Sequence, residues 1–105
     1  MTTLTKPSRT DLARYFLPLI PAAARQEGIK TLPAFHAWND RKATRHLGPR
    51  AAGLIRKRCR RRPVPFMDDR GEPVFRVPLD DLGNRFALVD AADWFAMQMT
   101  VFDGL

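Results

Sequence analysis

The sequence predicts an α+β domain: helices over roughly the first sixty residues, then a small antiparallel β-sheet, then a short closing helix. Three observations lead there. Apolar residues up to Pro63 recur at helical spacing, and after Pro63 they fall into short runs of β-type residues. Prolines and glycines punctuate the chain between those stretches. Charge is sorted by position as well, with a basic middle and an acidic last third.

The elements follow in order. Ser8 or Thr10 caps a first helix, with Asp11 in its first turn, where a carboxylate complements the helix dipole. Leu12, Tyr15, Phe16, Leu19 and Ile20 form one apolar stripe, interrupted by Pro18 and Pro21. Pro21 suits the first position of a short helix over Ala22–Glu27, and Gly28 its end. Pro33 opens a third helix to about Arg45, with Phe35 and Trp38 facing inward. Leu47-Gly48-Pro49 ends that helix and starts a fourth, Pro49–Arg61. The fourth has Ala51, Ala52, Leu54, Ile55 and Cys59 on one side. Arg50, Lys57 and Arg61 lie opposite, flanked by Arg56 and Arg60. Two helices about a tight glycine-containing turn match a helix-turn-helix whose second helix is basic.

Beyond Pro63, Val64–Met67, Pro73–Leu79 and Arg85–Val89 read as strands. Asp68-Asp69-Arg70-Gly71 and Asp80–Asn84 are turns by composition. Asp90 caps a last helix, Ala91–Met99, in which Trp94, Phe95, Met97 and Met99 are available for packing. The order of elements is winged-helix-like, with the Phe66–Phe75 hairpin as the wing. Residues 1–7 are expected as a flexible arm and residues 8–105 as a single nucleic-acid-binding domain, a length that supports one modest core.

The charge pattern carries the functional reading. Between Arg41 and Met67 stand ten bases and no acid: Arg41, Lys42, Arg45, Arg50, Arg56, Lys57, Arg58, Arg60, Arg61 and Arg62. From Pro63 onward eight acids face three arginines, and the first forty residues are nearly balanced. The local net charges are +2, +10 and −5, within a total of +7. Bases that repel one another without local acids call for neutralisation from outside the segment, and a polyanion is the default partner. Arg50, Arg56, Lys57 and Arg60 are the candidates to reach base edges in a major groove. Arg41, Lys42, Arg45, Arg61 and Arg62 are the candidate phosphate anchors, the sequence alone does not separate the two roles, and Arg70 at the wing tip suits a minor groove. The acids beside Arg70 oppose deep insertion of that wing.

Other chemistries have less support. His36 and His46 have no Cys or acid at ligand spacing, so no metal is expected. The acid pairs Asp68/Asp69, Asp80/Asp81 and Asp90/Asp93 sit in turns or at a helix start, and no nucleophile-and-base set or phosphate loop is discernible. No enzymatic activity and no cofactor are expected. The single cysteine, Cys59, fits a reducing, cytoplasmic setting and excludes an intrachain disulfide. No apolar stretch is long enough to span a bilayer, and no signal peptide is read.

Two stretches resemble known families. Trp38-Asn39 through the basic helix to Arg62-Pro63-Val64-Pro65, then Asp69-Arg70-Gly71-Glu72-Pro73-Val74-Phe75, resembles phage excisionases of the lambda type. Those are small basic winged-helix proteins that bind and bend DNA. The resemblance implies Pro49–Arg61 as the major-groove helix and Phe66–Phe75 as the wing. Separately, Val77-Pro78-Leu79 with Phe86-Ala87-Leu88-Val89-Asp90-Ala91-Ala92-Asp93-Trp94 is similar to the opening of phage HNH and APETALA-type DNA-binding proteins. No HNH-type histidine pair follows before Leu105, so nuclease activity does not carry over. The expectation is a small non-enzymatic DNA-binding protein of phage or mobile-element type, acting on double-stranded DNA and compatible with a homodimer on paired half-sites. RNA is the alternative nucleic acid. The rival class is a protein-interaction module, such as a phage anti-defence inhibitor of a host complex. It would use the basic helix against an acidic protein, or the acidic last third as a phosphate mimic. A small toxin ribonuclease ranks behind both.

Overall fold

A computed structural model of the chain describes residues 3–58, 63–79 and 84–103. Side chains are described for these except within 54–58 and 100–103. The architecture is α+β: helices, a three-stranded antiparallel sheet and a C-terminal helix.

Ser8 is the first N-cap. Its Oγ accepts the Asp11 N–H at 3.1 Å, and the Asp11 carboxylate accepts the Ser8 N–H at 3.0 Å, a reciprocal capping box. The helix it starts, α1 (Arg9–Asp11), widens into a π-helical turn over Leu12–Phe16 and tightens into a 3-10 turn over Leu17–Leu19. Pro18 accounts for the change. It has no N–H for residue 14, and its ring collides with that carbonyl in a regular helix. The carbonyls left at this end are taken up by Arg25, whose Nε donates to the Ile20 oxygen (2.8 Å) and Nη2 to the Pro18 oxygen (3.0 Å). Pro21 is the N-cap of α2 (Ala22–Arg25) rather than its first residue, and Gly28 leaves the helix at φ 83°.

Thr31 caps α3 (Leu32–Leu47) by accepting the Ala34 N–H at 3.3 Å. The helix starts one residue earlier and ends two residues later than its apolar stripe suggests. It buries Leu32, Phe35 and Trp38, and the Trp38 indole N–H donates to the Glu27 carboxylate. Gly48 alone joins it to α4 (Pro49–Arg58).

β1 (Val64–Met67), β2 (Pro73–Pro78) and β3 (Phe86–Asp90) form a meander in the order 1-2-3. Val64 pairs with Arg76 and Arg76 with Leu88, while Phe75 lies opposite Pro65 and Val89. Residues expected to lie in a loose arm are pinned at Thr5, which exchanges both backbone hydrogen bonds with Met67 at 2.9 Å. α5 (Ala91–Asp103) turns Ala91, Trp94 and Phe95 inward, with Met97 44% exposed. The Asp80–Asn84 turn lies, for residues 80–83, outside the described residues.

The core is aromatic. Phe16, Phe35, Phe75 and Phe95 are almost fully buried, with Trp38 and Trp94 beside them. Phe75 lies 4.6 Å from Trp94, 5.4 Å from Phe16 and 5.6 Å from Phe95 between ring centroids. The pairs with Phe16 and Phe95 are edge-to-face and the pair with Trp94 is tilted, and aromatic contacts of this kind add to simple burial. One strand residue thus locks the sheet to both the N-terminal segment and α5.

Candidate nucleic-acid interface

Three of the basic residues, Arg41, Arg45 and Arg50, lie about the corner between α3 and α4. Gly48 makes that corner, at φ 85° and ψ 158°, a backbone region open in practice only to glycine. Its N–H donates to the Thr44 oxygen (2.9 Å), and its own carbonyl accepts the Ala52 N–H (3.1 Å). One residue therefore closes one helix and opens the next. The joint is shorter than the three- or four-residue turn usual in a helix-turn-helix.

Arg41 and Arg45 stand one turn apart on α3, both exposed, and Arg50 is exposed in the first turn of α4. None of the three has an ion pair among the described residues. Like charges at this helical spacing repel, and a cation in a first helical turn opposes the helix dipole. Each cost is small, and each is relieved by a bound anion. Lys42 is half-buried, its ammonium 5.7 Å from the centroid of the Trp38 ring, so part of its charge is held against the protein. Arg56 and Lys57 belong to the second half of α4, with side chains outside the described ones. Arg60, Arg61 and Arg62 lie outside the described residues. On the other side of α4, Ala52 is buried.

Arg70 belongs to a different element, the tight turn between β1 and β2, and is exposed. Asp68 builds that turn, its Oδ1 accepting the N–H groups of Arg70 (2.9 Å) and Glu72 (2.8 Å). Gly71 supplies the positive φ of 74°. Asp69 and Glu72 are exposed beside Arg70, so the tip carries more negative than positive charge.

One functional candidate escaped sequence reasoning. Arg76, in the central strand, holds its guanidinium carbon 4.3 Å from the Phe86 ring centroid and 5.2 Å from that of Phe66. Its Nε is buried without a hydrogen-bond partner. The signal available was alternation within Pro73–Pro78, which separates Val74 and Arg76 from Phe75 and Val77. Alternation does not say which set faces the core.

A groove of about 490 Å³ opens where the N-terminal segment, the start of α3 and the entry to β1 meet. Leu12, Leu17, Leu32, Pro33, Pro63 and Pro65 line it, with Arg9, Thr31 and His36. No carboxylate or thiol is among its lining residues. Among the described residues, no three His, Cys, Asp or Glu side chains gather as metal ligands, and no helix is long and apolar enough to cross a membrane. No protein-family model matches the sequence, and neither a curated protein nor a solved structure matches it.

Proposed function

We propose that this chain is a small non-enzymatic DNA-binding protein, with α4 presented to the major groove and the α3–α4 corner anchored on phosphates. The observation that carries this reading is the exposure of Arg41, Arg45 and Arg50 about a rigid glycine joint, within ten bases unbroken by an acid. Rigid placement of charge matters because phosphate contacts set the register that base contacts then use. Arg56, Lys57 and Arg60 are the residues assigned to base edges, and Arg61 and Arg62 extend the phosphate contacts. The β1–β2 hairpin acts as a shallow wing, its acidic tip held at the duplex edge with Arg70 as the single cation. The resemblance to excisionase-type winged-helix proteins of phages and mobile elements supports the same arrangement.

Fluorescence anisotropy with random duplex DNA tests it. Submicromolar binding at low salt is expected. Charge reversal at Arg50, Arg56 and Lys57 should weaken it by at least about a hundredfold, because attraction to phosphate becomes repulsion at all three positions. Unchanged affinity in that variant would sink the reading. It would turn attention to an acidic protein as the partner of the basic block.

A further inference from the structure

We propose that the outer face of the sheet is a second contact surface, one that takes unpaired bases of a single nucleic-acid strand with Arg76 as its polar anchor. The inference builds on the reading of the chain as a nucleic-acid-binding protein but uses a different surface.

The strand register places Val64, Phe66, Arg76, Phe86 and Leu88 on one face of the sheet, opposite the face that delivers Met67 and Phe75 to the core. Val64 is 41% exposed, Phe86 39% and Leu88 48%. Exposed apolar side chains thus flank Arg76 on both neighbouring strands, on a chain of net charge +7, and clustering of this kind is a feature of binding surfaces. In the middle of the row sits a cation with no acid partner among the described residues and a buried Nε without an acceptor. A guanidinium offers five N–H donors in a planar fork and stacks readily. Unpaired bases match both halves of that surface: their faces cover aromatic and aliphatic side chains, and their edges and phosphates supply acceptors.

Charge selects this occupant over a second copy of the chain. Two-fold pairing centred on Arg76 would bring the two guanidiniums together in a desolvated layer, and the acid that the register puts on this face, Asp90, stands one row away, opposite Val74. Sequence continuity points the same way. The row Val64–Arg76–Leu88 begins where the basic segment ends, since Arg60, Arg61 and Arg62 directly precede Pro63. Arg85, just before β3, is exposed at that end. Asp68, Asp69, Glu72 and Asp90 lie toward the other end. A strand leaving the α4 side would therefore lay its bases across the sheet from the cationic end.

The test titrates three fluorescein-labelled probes: an oligothymidylate of about ten nucleotides, an abasic oligomer of equal length, and a duplex. The proteins are wild type, Arg76→Gln and Leu88→Gln, each checked for folding by near-UV circular dichroism. Leu88 is half-exposed, so its variant retains the fold even if loss of the Arg76 stack does not. Either substitution should weaken oligothymidylate binding about tenfold and change duplex binding less than twofold, and Leu88→Gln should leave the weaker abasic binding unaltered. Equal affinity for thymidylate and abasic strands, or no effect of Leu88→Gln, overturns the inference while duplex binding still supports the first reading. Loss of duplex binding with Leu88-sensitive thymidylate binding does the reverse. A concentration-dependent dimer abolished by Leu88→Gln, with strand affinity unchanged, overturns it in favour of a second copy.

Discussion

At the scale of single residues, two arginine environments and one phenylalanine show how this chain divides stability from function. Phe75 is fully buried and touches aromatic rings from the N-terminal segment and from α5. Replacing it with alanine removes a large apolar volume and leaves a cavity that three separate elements would have to close together. Phe75→Ala should cost about 3–5 kcal/mol in urea unfolding, a large share of the stability of a domain this size. Arg50 is exposed and unpaired within the described residues, so Arg50→Gln should change stability by less than about 0.5 kcal/mol in the same experiment. A destabilisation of Arg50→Gln comparable to that of Phe75→Ala would mean that Arg50 is a structural residue, and its role in binding would have to be dropped. Arg76 lies between these limits, half-buried in a stack and short of one hydrogen bond.

At the scale of elements, the glycines on either side of the first turn of α4 make opposite predictions. Gly48 holds φ 85° with ψ 158°, so a β-carbon there is strained even though the surrounding space is open. Gly48→Ala should lower stability by about 1–3 kcal/mol and shift the direction in which α4 leaves α3. Gly53 has ordinary helical backbone, and no atom lies within 4 Å of an added β-carbon. Gly53→Ala should therefore stabilise the protein by about 0.5–1 kcal/mol, measured as a higher Tm. The first glycine was legible in the sequence, because Leu47-Gly48-Pro49 combines a left-handed cap with a helix-starting proline. So were the strand Val64–Met67, the second strand to within one residue of its end (expected to Leu79, ending at Pro78), and the start of α5 at Ala91, since turn residues bracket each. Three things were not legible. The π-helical widening before Pro18 is a compromise between the apolar stripe and a missing N–H, which no periodicity encodes. The bridge between Thr5 and Met67 is a pairing between residues far apart in sequence, made through backbone groups that carry no side-chain signature. The Arg76 stack depends on β2 lying between β1 and β3, a fact of topology rather than of any one strand.

At the scale of the whole molecule, the separation of charge sets how binding should respond to salt. The ten bases between Arg41 and Met67 would be partly neutralised if the eight acids after Pro63 paired with them. Arg41, Arg45 and Arg50 instead remain exposed, while Asp68 is occupied with its own turn and Asp69 and Glu72 project at the hairpin tip. The cationic corner therefore stays available to a polyanion, and each phosphate it neutralises releases condensed counterions. For duplex DNA, log K against log salt should fall with a slope of about −0.9 per phosphate contact. With about five contacts or more, the wild-type slope should be about −4.5 or steeper. Replacing Arg41, Arg45 and Arg50 together with glutamine should make it shallower by about 2 to 3, in proportion to the charges removed. Arg70→Gln should move it by less than about one, because acids at the wing tip already offset that charge. A slope that survives the triple substitution would place the phosphate contacts elsewhere on the chain, with Arg56, Lys57, Arg58, Arg60, Arg61 and Arg62 the next to neutralise. If instead the corner variant flattens the salt dependence while the Leu88→Gln variant leaves it intact, the two surfaces act on different parts of the nucleic acid: charge on the backbone, and the sheet on the bases.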